Sequence, residues 1–376
     1  MRILHVMECT IGGTRRHLVD LARGQAAVGH EVHVIAAGLR DTGMLEDFAR
    51  LKSEGVGVHR LDMVRSIRPL LDWKHYRILK GYLETLQPEI VHSHSSKAGA
   101  LARKASMATG VGKRVHTPHT MAFLFSALFH PAKRRIFRAI ETNLGACTDR
   151  MIAVSASEGD TLRGAGVIAA ERIRVVANGI DPTGWDAASP LNLVDFGLDG
   201  SKPTLALVGL VYGAKGQDLA IEALGDPALN AWQLLCVGPG DCTEYEALAR
   251  KLGVHDRVRF VGARSDIPEV LASVKGLILP SRWEGMPYVV LEAMAAGKPV
   301  LAHPVDGARD VVQDGETGIL CGSTSVAGLV EGWKRFDAAG ETERQRWGSQ
   351  GQESVRARYS HESMVAGTLQ VYSELL

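Results

Sequence analysis

The sequence predicts an α/β protein built from two doubly wound, parallel-sheet domains. Three observations carry this. Short apolar runs of strand length alternate with longer stretches of helical spacing along most of the chain. The alternation breaks once, around 178–203, and then restarts. The 376 residues also suffice for two cores, at about 150–200 residues per domain. Hydrophobic residues at 45%, charged residues at 23% and 41 glycines exclude a disordered or fibrous chain.

The expected strands of the first series lie at 3–6, 32–35, 90–92, 115–116, 151–154 and 173–176. Between the first two, 14–28 has helical spacing, with Leu18, Leu21 and Ala22 on one side. Asn178-Gly179 and Asp181-Pro182 are turn formers, and polar, Gly- and Pro-containing sequence follows to Lys202-Pro203. A second series is expected at 204–209, 234–237, 258–260, 277–280 and 300–302. The organisation expected is a first domain over 1–180, a connection over 181–203, a second domain over 204–355, and a C-terminal helix over 356–376 packing back on the first domain. Two such domains are expected to face a cleft, with ligands beyond the carboxyl ends of the strands.

The net charge of +1 hides an asymmetry: residues 1–190 hold 26 Lys/Arg and 18 Asp/Glu, and the remainder 17 and 24. A positive first half suits an anionic membrane surface or simple attraction between the halves. No zinc-finger spacing or long basic helix accompanies it, so nucleic acid is not expected as a partner. Cys9, Cys147, Cys236, Cys242 and Cys321 form no CxxC pair, which argues against a disulfide framework or a cysteine zinc site. Met1 to Val6 reads directly into a strand, and no run of 18 apolar residues occurs. Neither a signal peptide nor a spanning helix is expected, so the chain reads as cytoplasmic, with any membrane contact peripheral.

Four segments could carry chemistry. Gly12-Gly13 follows the first strand and suits either a plain turn or a close backbone approach to an anion. His119 lies in His116-Thr117-Pro118-His119, where it could be structural or could bond a sugar hydroxyl. His92 and His94 alternate at a strand end, but no third ligand stands at metal spacing, and no metal site is expected. Lys215 sits in the glycine-rich loop Gly209 to Gly216, where it is a solvated lysine or a point charge for phosphate. The strongest segment is Pro280-Ser281-Arg282-Trp283-Glu284-Gly285-Met286-Pro287-Tyr288, leading through Glu292 to Gly297-Lys298-Pro299-Val300. Pro287 suits the first helical position. Glu292 falls early in the helix, where one carboxylate can accept from two ribose hydroxyls or simply favour the helix dipole.

With these landmarks in order, the chain resembles the retaining glycosyltransferases of family 4, which have the GT-B fold of two Rossmann-like domains. The landmarks are Gly12-Gly13, His119, Lys215-Gly216, and the glutamates Glu284 and Glu292. The resemblance implies that Gly12 and Gly13 line the donor diphosphate, His119 contacts the transferred sugar, and Lys215 pairs with the diphosphate. It places Glu284 by the donor sugar, the backbone of Gly285, Met286 and Tyr288 around diphosphate and sugar, and Glu292 on the ribose. The donor implied is a UDP- or GDP-sugar, transferred as a hexose with retention and without a metal or other cofactor. The segments Val91 to Gly99 and Val115 to His119 are similar to exopolysaccharide and lipid-linked oligosaccharide enzymes. The acceptor implied is therefore a saccharide or a polyprenyl-diphosphate-linked glycan. Lys133-Arg134-Arg135 and Arg138 fit an anionic membrane face.

Two positions depart from the family pattern. Leu210 stands where an arginine usually contacts the diphosphate, leaving Arg282 or Arg15 as the expected substitute. Asp310 replaces a glutamate and keeps its charge. Leu210 also keeps open a non-catalytic glycan- or lipid-binding subunit, and the fold a nucleotide-sugar epimerase.

Overall fold

The computed structural model describes residues 1–41, 43–125 and 129–376. The chain divides into two compact units, one of 1–178 with 361–376 and the other of 179–360.

The first unit holds a seven-stranded sheet: β1 Arg2–Met7, β2 Glu31–Ala36, β3 Gly57–Arg60, β4 Ile90–His94, β5 Lys113–Thr117, β6 Arg150–Ala153 and β7 Ile173–Val175. Their order is β3-β2-β1-β4-β5-β6-β7, all parallel. Alternation within each strand feeds two cores. Leu4, Val6 and Val91 pack with the helix Pro69–Leu86 and the helix Ser96–Thr109. On the other face Met7, Val32 and Val34 meet Leu18, Val19 and Ala22 of the helix Gly12–Ala27. The last helix, His361–Ser373, packs Met364 and Val365 on Leu21 and sets Tyr372 beside Ile3 and Ile90.

The second unit holds a six-stranded sheet: β8 Thr204–Val208, β9 Gln233–Val237, β10 Val258–Phe260, β11 Gly276–Leu279, β12 Val300–Ala302 and β13 Gly318–Leu320. Their order is β10-β9-β8-β11-β12-β13, again all parallel. Leu205, Leu207 and Leu234 pack with Trp232, Trp333 and Phe336 on one face. Ala206, Leu235 and Val237 pack with Val270 and Val274 on the other. Both units are thus doubly wound, Rossmann-like domains of the GT-B type.

Several details depart from the sequence reading. β3 and β13 were not expected; both are short, glycine-led edge strands, of four and three residues. His119 consequently follows the fifth strand, not the fourth. Gly12 and Gly13 open the first helix instead of lying in a loop before it, and Pro287 is the N-cap of the helix Tyr288–Ala295, one residue outside it. The stretch 181–203 belongs to the second unit, because Leu191, Leu193 and Phe196 pack against its core. Residues 356–358 end the helix Gly340–Arg358 of that unit, and a separate helix starts at His361.

Candidate active site

In each sheet the strand order reverses at one point, between β1 and β4 and between β8 and β11. Loops leave such a pair of strands in opposite directions and open a crevice at their carboxyl ends. Most of the side chains singled out from the sequence gather at these two points.

In the second unit, Lys215 follows β8 while Ser281 and Glu284 follow β11. Gly216 has φ +74°, and a Cβ there would lie 2.1 Å from the Pro280 carbonyl oxygen. Only glycine lets the first loop lie against the second. Lys215 Nζ then donates to Glu284 Oε1 at 2.6 Å, and Ser281 Oγ donates to the same oxygen at 2.7 Å. Burial opposes the charged ammonium, but the Glu284 carboxylate outweighs it and holds the Lys215 pKa above its ordinary value. Gly307 has φ +72°, and a Cβ there would lie 2.3 Å from the Gly285 carbonyl oxygen. It thereby backs the turn of Gly285 and Met286 that leads to Tyr288. Glu292 stands half-buried one turn into the helix Tyr288–Ala295.

The expected substitutes for an arginine at 210 are both engaged. Arg282 makes a two-pronged pair with Asp218, at 2.9 and 2.5 Å, which raises its pKa. Arg15 bonds Asp47 at 2.6 Å and Asp41 at 2.7 Å. The Leu210 carbonyl accepts from Gln217 Nε2 at 2.9 Å. Asp218, Gln217 and Ser281 were not legible as site residues, since only the fold brings them to these loops.

In the first unit, His5 of β1 stands opposite His92 of β4. Gln25 and His17 of the first helix and Tyr372 of the last close over them. His5 Nε2 lies 2.7 Å from Gln25 Oε1, and His5 Nδ1 lies 3.1 Å from His94 Nε2. His92 contacts the Tyr372 hydroxyl at 2.6 Å and Thr117 Oγ1 at 2.8 Å. His94 Nδ1 lies 3.3 Å from His119 Nε2. The His17 ring stands edge-on to His119 with centroids 4.6 Å apart. Burial pushes the His5 and His17 pKa values down to about 4, and those of His92, His94 and His119 well below the ordinary range. The rings are therefore neutral near pH 7.

His119 and Thr120 are consecutive non-glycine residues at φ 52° and 83°. Such backbone persists only where its surroundings over-determine it. Here Glu158 does so, accepting from Thr120 N and Val154 N at 2.7 Å each. The basic run lies on the helix Pro131–Ala146, whose Ile136 is 58% exposed beside the aromatic-stacked Lys133. Arg134 and Arg138 donate to the Phe123 and Ala165 carbonyls. Among the described residues no helix is long and apolar enough to cross a membrane.

Residues 11–183 match the model of Glycosyltransferase Family 4, and residues 202–336 that of Glycosyl transferases group 1. The chain is 27% identical over 272 residues to the Escherichia coli UDP-Gal:alpha-D-GlcNAc-diphosphoundecaprenol alpha-1,3-galactosyltransferase, covering 69% of this chain and 68% of the relative. It is 32% identical over 271 residues to the D-inositol 3-phosphate glycosyltransferase of Actinosynnema mirum, covering 67% and 64%. Among solved structures, the fold matches Anabaena HepE in complex with UDP and glucose, with TM-score 0.81 and 21% identity over the whole of both chains. Sucrose-phosphate synthase from Thermosynechococcus elongatus matches with TM-score 0.82 at 21% identity, over 100% and 99% of the two chains. Taken with the two switch-point loops, these matches place the chain in glycosyltransferase family 4.

Proposed function

We propose that this glycosyltransferase moves a hexose, with retention, from a nucleotide-sugar donor to a saccharide or polyprenyl-diphosphate-linked glycan. The observation that carries the reading is the Lys215–Glu284 pair at the β8/β11 switch point. A part-buried cation beside glycine-rich backbone suits a diphosphate. On donor arrival the diphosphate takes over the Lys215 ammonium, and Glu284, with Oε1 still held by Ser281, offers its remaining acceptor sites to sugar hydroxyls. As the glycosidic bond loosens, negative charge grows on the leaving diphosphate. Lys215 and the N–H groups at the start of the helix Tyr288–Ala295 then bind the transition state more strongly than the ground state. Glu292 is assigned to the ribose diol and His119 to a sugar hydroxyl. The leaving phosphate accepts the acceptor's proton on the same face, which gives retention without a covalent carboxylate intermediate. No metal or other cofactor takes part in this scheme.

The E. coli relative's name supports a UDP-sugar donor and a diphosphoundecaprenol-linked acceptor, and the UDP complex of HepE supports UDP. The exposed, basic face of the helix Pro131–Ala146 supports peripheral contact with anionic lipid at the inner membrane face. The test offers purified protein UDP- and GDP-sugars with polyprenyl-diphosphate-linked acceptors and reads the product's anomeric configuration by NMR. Transfer with the donor's configuration is expected; inverted product, or no transfer to any acceptor, contradicts the reading. A second reading, a sugar-binding subunit without turnover, draws on Leu210 and the engagement of Arg15 and Arg282. It predicts nucleotide-sugar binding but no product.

A further inference from the structure

We infer that His17, His94 and His119 form a binding site for one divalent transition-metal ion of borderline softness, such as Zn2+ or Co2+. One ligand nitrogen from each ring lies within 4.8 Å of the other two. His5, His92 and His94 make a second such trio, but both nitrogens of His92 are already engaged outside it, by Tyr372 and Thr117. The first trio differs at His17. Its ring is only 3% exposed, and its Nε2 has no hydrogen-bond partner. A buried polar atom without a partner calls for an explanation.

Proton bookkeeping supplies one. Gln25 Oε1 can only accept, so His5 Nε2 donates to it and His5 Nδ1 keeps a lone pair. His94 Nε2 must then donate to His5 Nδ1, which leaves a lone pair on His94 Nδ1, facing His119 Nε2 at 3.3 Å. The amide of Gln25 is consistent with this, since its Nε2 points to the Tyr372 hydroxyl. Likewise His17 Nδ1 donates to Asn178 Oδ1 at 2.9 Å, and the lone pair falls on the unpartnered Nε2. Two buried lone pairs are thus left, in rings whose centroids lie 4.6 and 5.6 Å from that of His119. Ligating histidines characteristically donate their other N–H to an acceptor behind them. His17 does so to Asn178, and His94 to His5 backed by Gln25.

Three neutral imidazoles with no carboxylate select zinc-like ions over Mg2+ or Ca2+, which need oxygen ligands. Three protein nitrogens also leave a fourth tetrahedral position open. The partly exposed His119 is the route of entry. With Nε2 on the ion, His119 carries its remaining proton on Nδ1, a donor that has no partner among the described residues. The ion would thereby select the tautomer of His119.

The test uses tag-free, full-length protein, stripped with EDTA, desalted, and titrated with Co2+ by visible absorption and with Zn2+ by calorimetry. One ion per chain is expected, with a tetrahedral Co2+ band that Zn2+ displaces. His17→Ala or His94→Ala should abolish the band. Asn178→Leu should weaken binding about 10–100-fold by removing the acceptor behind His17. Should the histidine variants fail to fold, Asn178→Leu and 15N NMR of the unaltered protein decide. Zinc should shift the His94 Nδ1 and His119 Nε2 resonances together. The inference is overturned by absence of binding at micromolar ion, by binding that survives His17→Ala or His94→Ala or is unchanged in Asn178→Leu, or by an Nε2–H of His119 that stays bonded to His94 in saturating zinc. Nucleotide affinity read separately at Lys215 is independent of all these outcomes.

Discussion

The two units share one topology and treat the carboxyl ends of their central strands in opposite ways. At the β1/β4 point the first unit buries a network of neutral imidazoles bonded to one another and to Gln25, Thr117 and Tyr372, with His17 Nε2 left without a partner. At the β8/β11 point the second unit holds a charged pair, Lys215 with Glu284, part-buried and joined by one serine. The comparison teaches that a switch point provides a crevice and nothing more. Its chemistry comes from which side chains the flanking loops deliver. Neutral rings are selective for hydrogen-bond geometry, whereas a paired cation is ready to exchange one anion for another.

Acid should break the comparison most strongly. The pKa values of His5 and His17 are about 4 in the folded protein and about 6.5 when unfolded. Between those limits the unfolded chain binds more protons, so stability is present above pH 6.5 and is lost as pH falls toward 4. Each ring accounts for a loss on the order of 3 kcal/mol. Hydrogen exchange at stepped pH should show the first unit opening before the second; simultaneous loss would contradict the contrast.

A smaller effect belongs to the first unit's buried ion pair, in which Arg103 is fully buried and donates to Glu141 at 2.9 Å. Glu141→Ala leaves that guanidinium unpaired and should cost about 3–5 kcal/mol in denaturant unfolding. Lys215→Ala in the second unit should instead leave folding nearly intact and weaken UDP binding by about 1.5–3 kcal/mol, measured by calorimetry. A matching loss of stability without loss of UDP affinity would make Lys215 structural. The smallest effect is expected at Asp218, whose partner Arg282 is part-exposed. Asp218→Ala should change stability by only about 0.2–1 kcal/mol, and the released Arg282 should leave UDP affinity unchanged or slightly raised.

Much of the second unit's site was legible because its residues stand in one continuous segment. Glu284, Gly285 and Glu292 follow a recognisable apolar strand, and a helix begins where Pro287 indicates, within one residue. The histidine network was not legible. His5 hides inside an apolar strand, His17 looks like one position of an amphipathic helix, and Tyr372 is 280 residues from His92. A search for ligand spacing along the chain misses a third histidine that arrives from another element. The same limit applies to the arginines. Arg15 and Arg282 looked available at 210 until folding placed Asp41, Asp47 and Asp218 against them. The missed strands β3 and β13 are edge strands of four and three residues that open on glycine, too short to show a hydrophobic period.

The central claim is that Lys215 exchanges Glu284 for a diphosphate. A crystal structure of the full chain soaked with UDP tests it directly. The account predicts phosphate oxygens on Lys215 Nζ, ribose hydroxyls on Glu292, and Glu284 retained by Ser281 alone. UDP bound elsewhere, with the Lys215–Glu284 bond unbroken, would contradict it.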